Sequence, residues 1–373
     1  MSKKPNKLKI VLAGGGTGGH IYPAIAVGQL LKADEDIEKI YYIGNPKNIE
    51  KNIVEKERFE FLPVKISGMP RKKDLSIIKW FVELAFAVNT CVSYFKKIKP
   101  DVIFGTGGYV SGPALLAGWF LEIPFIIHDC DTHPGIVSKK MAPKAKMVSV
   151  AFEQAKKYLN SKNILVNGNP IRTSFSIINK EECLNKLNLD KNKFTLLVMG
   201  GSQGAISLNR ATQGCLNRLI NEQNIQIIHQ TGMKNYEEYM ENLPSEYIDN
   251  PNYLVKPYFE DMSVPLSCSD LVVARAGSLS ISELNLMGLP SILVPYPHSA
   301  ADHQKYNAKA MEEVGASVYL DDKECDSENL LEIILTLLND KEKLAEMKNK
   351  NLELAKPNSG ENIVKALKEI AGK

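Results

Sequence analysis

The sequence has no C-x-x-C pair among its cysteines. Its six, Cys91, Cys130, Cys183, Cys215, Cys268 and Cys325, stand at least 32 residues apart (Cys183 to Cys215). Without a C-x-x-C, neither a zinc knuckle nor a redox pair is suggested, and dispersed cysteines read as reduced thiols. The six histidines show no zinc-site spacing either. Long apolar runs are also scarce. After the polar, lysine-rich Met1 to Lys9, only Ile10 to Ala13 precede a glycine run, too little for the apolar part of a signal peptide. The longest apolar stretch, Trp80 to Phe95, contains Glu83 and Asn89 and is expected to fall short of a membrane span. No Gly-Lys-Ser/Thr follows a glycine run, which excludes a P-loop.

What is present is a chain of 373 residues, 44% hydrophobic and 24% charged, the profile of a globular protein with two cores. The net charge of +3 conceals an asymmetry. Residues 1–168 carry 25 Lys/Arg against 15 Asp/Glu, and residues 169–373 carry 21 against 28. A basic half joined to an acidic half points to an anionic partner for the first. No recognition helix or basic-aromatic strand motif accompanies it, so nucleic acid is not expected.

Short apolar runs alternate with helical periodicity, the pattern of parallel sheets in an α/β protein. Lys9–Ala13, Ile40–Ile43, Val102–Phe104, Phe125–His128 and Met147–Val150 read as strands, as does the short Ile164–Val166. In the second half the strands are Thr195–Met199, Ile225–Gln230, Leu271–Ala274 and Ser291–Pro295. Each half opens on a strand that runs into a glycine-rich turn and a helix: Gly14-Gly-Gly-Thr-Gly-Gly19 and Gly200-Gly-Ser-Gln-Gly204. Two Rossmann-like units in tandem follow. The turn residues Asn167-Gly-Asn-Pro-Ile-Arg172 place the break at 168/169, and Lys356-Pro-Asn-Ser-Gly360 sets off a last helix.

The first glycine run satisfies G-x-G-x-x-G, which lets backbone approach a pyrophosphate at a helix N-terminus. A nicotinamide site would also want an acid after the second strand, where Gly44-Asn-Pro stands instead. Glycines serving only the tight turn are the plainer alternative. In the second half, Gly277 and Ser278 open a helix at which a phosphate can sit, with Glu283 about one turn in to hold a ribose; Ser280-x-x-Glu283 also reads as a capping box. Asp129 and Asp131, in His128-Asp-Cys-Asp-Thr-His-Pro-Gly135, spell D-x-D, a metal–diphosphate motif that the tandem Rossmann-like pattern disfavours; they can also orient a sugar hydroxyl or take its proton, or simply cap the next helix. Arg71, Lys72 and Lys73 precede an apolar helix whose stripe of Ile77, Phe81, Leu84, Val88, Cys91, Val92 and Phe95 reads mostly as core. Ile78 and Trp80 beside those cations, and the later run Lys139–Lys146, could meet anionic lipid or be a solvated face.

Taken together, Gly-Gly-Thr-Gly-Gly-His20, Gly107-Gly-Tyr-Val-Ser-Gly-Pro113, Asn169-Pro-Ile-Arg172, Gly200 to Gly204, Ser278 to Glu283 and Asp302-His-Gln304 closely resemble the MurG family of UDP-N-acetylglucosamine transferases, in family order along nearly the whole chain. The resemblance implies a GT-B fold: two Rossmann-like parallel-sheet domains facing across a cleft. Residues 1–168 would bind acceptor and face the membrane, 169–355 would bind UDP-sugar, and the 356–373 helix would return to the first domain. It places Thr17, Gly18 and Gly19 by the donor or acceptor diphosphate, Ser202 by the donor diphosphate, Arg172 by the nucleotide, and the Phe259 backbone by uracil. Ser278, Leu279, Ser280, Ile281, Ser282 and Glu283 would hold phosphate and ribose, and Gln304 and Asp131 the sugar. His20 would be the base, with Asp129 or Asp131 as substitutes. The segment His128-Asp-Cys-Asp departs from the family's His-Glu-Gln-Asn or His-Glu-Ser-Asp.

The implied reaction is inverting transfer of N-acetylglucosamine from UDP-GlcNAc to the 4-hydroxyl of the MurNAc-pentapeptide of lipid I. Its product is lipid II, for peptidoglycan synthesis and hence cell shape and division. No cofactor or metal is implied. The location expected is peripheral, on the cytoplasmic face of the cell membrane, against an anionic surface. Rival readings are another GT-B transferase with a lipid or small-molecule acceptor, a non-catalytic nucleotide-sugar-binding subunit and, third, a nicotinamide oxidoreductase.

Overall fold

A computed structural model of the chain describes residues 7–70, 74–201 and 203–372. Thirteen strands lie in the described residues, in two all-parallel sheets. The first contains β1 (Leu8–Ala13), β2 (Ile37–Gly44), β3 (Glu60–Pro63), β4 (Val102–Gly105), β5 (Phe125–Asp129), β6 (Met147–Val150) and β7 (Ile164–Val166), in the order β3-β2-β1-β4-β5-β6-β7. The second contains β8 (Thr195–Met199), β9 (Gln226–Gln230), β10 (Tyr253–Lys256), β11 (Leu271–Ala274), β12 (Ser291–Leu293) and β13 (Ser317–Tyr319), in the order β10-β9-β8-β11-β12-β13. Parallel strands buried on both faces need continuous apolar runs. The central strands have them: Ile10 to Ala13, Val102 to Phe104 and Leu271 to Ala274 are fully buried.

Each strand order reverses beside its first strand, so β1 and β4, like β8 and β11, end side by side while their following helices leave on opposite faces. That is the switch point at which α/β sheets bind ligands. The glycine turns after β1 and β8 both fall there.

The expected strands are all present. β3, β10 and β13 are additions, and all three lie at sheet edges. The chain divides into two compact units, Met1–Thr173 with Lys356–Lys373, and Ser174–Ala355. Asn169 to Thr173, placed by sequence with the second unit, thus belong with the first. There Thr173 N–H and Oγ1–H donate to Gln29 Oε1 at 3.3 and 3.1 Å.

The helix Ser359–Ile370 packs in the first unit, where Ile363, Ala366 and Leu367 join the core beneath β1 and β4. Polar contacts secure both its ends. Asn167 Nδ2–H donates to Ser359 O at 2.8 Å, and Asn362 Nδ2–H donates to Asn167 Oδ1 at 2.9 Å. Lys368 Nζ lies 2.8 Å from both Asp34 and Asp36, holding the Asp34 carboxyl below the usual carboxylate range, chiefly through its hydrogen bond.

The helix Ser76–Ile98 corrects an expectation. It runs 23 residues, not the apolar sixteen read from Trp80 to Phe95, and by length and composition alone is able to cross a membrane. Only Ala87, Cys91 and Phe95 are buried in it, with Leu84, Val88 and Val92 packed partly against the core. Phe81, expected in the core, is exposed, along with Leu75, Ile78, Val82 and Phe86. Trp80 is half-buried, its indole N–H donating to Ser67 O at 2.9 Å. Arg71, Lys72 and Lys73 lie outside the described residues.

Replacing Asn167 with Ala should remove its side-chain hydrogen bonds to Ser359 and Asn362 of the last helix and leave buried polar atoms unmatched. Thermal or urea unfolding should show a loss of about 1–3 kcal/mol, with the first unit's transition affected rather than the second's.

Candidate active site

In the first unit, three loops meet at the carboxyl ends of β1, β4 and β5. Gly14 O accepts from the buried Tyr42 hydroxyl at 3.0 Å, and Thr106 Oγ1–H donates to His20 O at 2.5 Å. Those two bonds tie the turn after β1 to its neighbours. Thr17 then precedes the helix Gly18–Lys32, and its hydroxyl pairs with His20 Nδ1 at 3.0 Å. Gly107 and Gly108, with φ of +85° and +70°, wrap the His20 ring. A Cβ on Gly107 would stand 2.9 Å from His20 Cδ2, and one on Gly108 would strike Gly15 O at 2.3 Å. Both positions need glycine for conformation and for space.

Glu50, fully buried, supports the same turn: its Oε1 accepts from Asn45 N–H and Asn48 Nδ2–H, both at 3.1 Å, and abuts Gly15. Sequence reasoning passed over Glu50, whose Lys- and Glu-rich surroundings look like a solvated helix.

The side chains of the segment after β5 differ in burial and in their partners. His128 is fully buried between Ser149 Oγ at 3.0 Å and Asn169 Oδ1 at 2.9 Å, and burial pushes its pKa down to about 4. It is a neutral core residue. Asp129 accepts from Asp131 N–H at 3.3 Å and from Gly135 N–H at 3.1 Å, which organises the turn into the helix Ile136–Met141. Burial first, and the Asp131 charge second, raise its carboxyl above the ordinary range. Asp131 itself is half-exposed, and its ligand oxygen, the buried Cys130 Sγ and a His20 ring nitrogen all lie within 4.8 Å of one another. Among the described residues, this group has the donor types to hold a metal ion. Arg172 lies over the Tyr22 ring at 4.9 Å, against the helix that carries His20.

The second unit has a similar arrangement after β8, β9 and β11. Gly204, with φ +78°, sits so tightly on Thr231 and Gly232 that a Cβ would meet Thr231 O at 2.1 Å. Gln230 links this turn to the next loop, donating to Gly201 O at 3.4 Å and accepting from Phe259 N–H at 2.9 Å. The Phe259 amide is therefore committed inside the protein. Ser202 lies outside the described residues.

After β11, Gly277 caps the helix Ser278–Met287. Ser280 is thus the third helical residue, not the cap, and Ser280-x-x-Glu283 is no capping box. Leu279, Ser280, Ser282 and Glu283 are half-buried, Ser278 and Ile281 buried, and Ser282 Oγ–H donates to Ser278 O at 2.9 Å. The helices at Gly18, Gly108 and Ser278 have no acid in their first turn. Their positive dipole ends have no side-chain carboxylate of their own to satisfy them.

Arg275 fixes the approach to this helix. Its guanidinium donates to Val294 O, Pro295 O, Asp322 Oδ1 and Ser207 Oγ at 3.1, 3.2, 2.6 and 3.0 Å. Gln304 Oε1 accepts from Tyr296 N–H at 2.9 Å, behind a turn in which Ala301 and Asp302 both take left-handed φ, +51° and +54°. Two such residues in succession store backbone strain.

The two units carry two halves of one family. The glycosyltransferase family 28 N-terminal domain matches residues 10–150 and the family 28 C-terminal domain matches residues 195–366. A UDP-N-acetylglucosamine–N-acetylmuramyl-(pentapeptide) pyrophosphoryl-undecaprenol N-acetylglucosamine transferase of Desulforamulus reducens is 36% identical over 97% of this chain and 99% of its own. The chain belongs to the MurG family. A MurG-family relative of the same description in Halothermothrix orenii is 34% identical over 98% and 99% of the two chains. The crystal structure of Acinetobacter baumannii MurG superposes with a TM-score of 0.79 at 27% identity, covering 98% of this chain and all of that one. The chain is thus a glycosyltransferase with two Rossmann-like domains.

Gly108→Ala should destabilise the first unit by at least the left-handed penalty of about 1–2 kcal/mol, read as a lower thermal midpoint. Gly277→Ala should leave that midpoint unchanged, because Gly277 has φ −66° and a Cβ there meets nothing closer than Ser280 Oγ at 3.9 Å.

Proposed function

We propose that the chain transfers N-acetylglucosamine from UDP-GlcNAc to the 4-hydroxyl of the N-acetylmuramoyl-pentapeptide of lipid I, with inversion at the anomeric carbon, to form lipid II. The observation that carries this reading is the near full-length identity of 36% to a transferase of that description.

The second unit holds the donor. The Ser278 helix N-terminus receives the diphosphate, and Glu283, one and a half turns on, takes the ribose hydroxyls. Gly277 supports this: its geometry does not demand glycine, so close approach of a ligand accounts for the absent side chain. Uracil meets the Phe259 carbonyl, since the amide serves Gln230. Gln304 binds the sugar hydroxyls, and Ser202 lies by the diphosphate.

The first unit holds the acceptor, with its diphosphate at Thr17, Gly18 and Gly19. His20, oriented by Thr17 and enclosed by Gly107 and Gly108, takes the proton of the 4-hydroxyl. The oxygen bonds to the anomeric carbon, the bond from that carbon to the diphosphate breaks, and UDP departs with the electron pair. Helix N-termini offset the charge that develops on it. Asp129 fits the base role less well, because backbone amides engage both its oxygens.

The acceptor's polyprenyl chain stays in the bilayer, which requires work at a surface. The exposed stripe of Leu75, Ile78, Phe81, Val82 and Phe86 on the helix Ser76–Ile98 supports peripheral docking. That helix keeps its other face in the first unit's core, so it lies on the membrane instead of crossing it. Arg71, Lys72, Lys73 and the lysines from Lys139 to Lys146 supply attraction to anionic lipid on the cytoplasmic face.

Radiolabelled UDP-GlcNAc and a short-chain lipid I analogue should yield product, with UDP-glucose inactive; label transfer from either sugar equally would overturn the donor assignment. At saturating substrates, His20→Ala should lower kcat by about 100-fold or more, whereas near-normal turnover removes His20 as base. Sedimentation with vesicles should increase with anionic lipid content and decrease with salt; indifference to both would end the docking reading.

A further inference from the structure

We infer that His20, Cys130 and Asp131 form a binding site for a zinc ion at the carboxyl ends of β1 and β5. Their ligand atoms, an imidazole nitrogen, a thiol sulfur and a carboxylate oxygen, lie within 4.8 Å of one another. Bonds of about 2.0–2.3 Å to a tetrahedral zinc put its ligands about 3.5 Å apart. Side-chain rotation of about an ångström therefore closes the set around one ion.

The donors select the metal. A thiolate with an imidazole and one carboxylate suits zinc, while magnesium and calcium prefer oxygen throughout. Three protein ligands leave the fourth position open to water. Burial fits this arrangement: Cys130 is 1% exposed and forms the floor, with His20 and Asp131 half-exposed at the rim.

All three ligands stand on secured backbone. His20 is in the first turn of a 15-residue helix, with its ring held by Thr17 Oγ1 at 3.0 Å and by Gly107 and Gly108. The Cys130 carbonyl accepts from Asn169 Nδ2–H at 3.4 Å, and Asp129 fixes the Asp131 amide. Such outer contacts orient metal ligands and strengthen the site. The other five cysteines are buried, and none joins a comparable group of ligands among the described residues.

Zinc at this position commits the His20 lone pair and displaces the thiol proton to solvent. Transfer is then blocked reversibly by the metal. This consequence rests on the proposed role of His20 as base, whereas the metal site does not.

The test is a titration of the reduced, metal-free full chain with cobalt(II), followed by zinc(II). Cobalt should produce a thiolate-to-metal charge-transfer absorption that zinc displaces, at about one equivalent per chain. Cys130→Ser should abolish that band, and both Cys130→Ser and His20→Ala should weaken zinc binding by at least about 100-fold, the most that loss of an outer-sphere partner costs. Cys325→Ser should change neither. Far-ultraviolet circular dichroism checks that each variant is folded. Absence of the band in wild type at millimolar cobalt, or its persistence in Cys130→Ser, overturns the site. Zinc should inhibit transfer by wild type and spare Cys130→Ser. Zinc whose binding is weakened by both Cys130→Ser and His20→Ala, yet which does not inhibit transfer, keeps the site and removes His20 as base; zinc whose binding His20→Ala leaves unchanged overturns the site. A metal-free chain that binds zinc but transfers no sugar confirms the site and overturns the transferase reading.

Discussion

The backbones leaving β1 and β4 pass within contact of each other, and the first unit's site depends on that approach. A single methyl at Gly108 would meet Gly15 O at 2.3 Å, and one at Gly14 would collide with Thr106 and with His20 O. Only glycine at both turns lets the two loops share the space in which His20 is held. The closeness follows from topology. Adjacent parallel strands whose helices leave on opposite faces open a crevice at their carboxyl ends. Tyr42, Thr106 and the buried Glu50 then fix the loops from below, so the His20 ring is positioned by rigid neighbours on several sides.

The second unit solves the same packing problem and adds a different feature. Gly204 and Gly232 are pressed together as closely as the first unit's glycines, and Gly277 is not. The distinction separates glycines that the fold requires from one whose backbone and surroundings would accept a side chain. Arg275 contributes a further constraint by joining the end of β11 to the segment after β12 and to Asp322. The Ser278 helix therefore starts from a fixed point. The left-handed Ala301–Asp302 turn lies just before Gln304 and sets where its side chain starts.

Legibility in the sequence followed burial. Central strands such as Ile10 to Ala13 are covered on both faces and announce themselves as apolar runs. The three unforeseen strands, β3, β10 and β13, are edges; Glu60-Phe-Leu-Pro63 and Ser317-Val-Tyr319 are short and partly exposed, so no run marks them. The helix Ser76–Ile98 misled in the opposite direction. Its apolar residues cover more than one face, and periodicity alone assigned Phe81 to a core that accepts only the Ala87, Cys91 and Phe95 side.

By itself the sequence determined two Rossmann-like units, the glycine turns, the family and the residues worth naming, because each rests on local spacing or on a near-continuous match. Tertiary structure decided what those residues do. It buried His128 between Ser149 and Asn169, turned Asp129 toward backbone amides, and ruled out the capping box at Ser280 by starting the helix at Ser278. It also brought Cys130 and Asp131 to His20 across more than a hundred residues. Sequence spacing carries no record of such meetings, since the register and order of parallel strands set which loops converge.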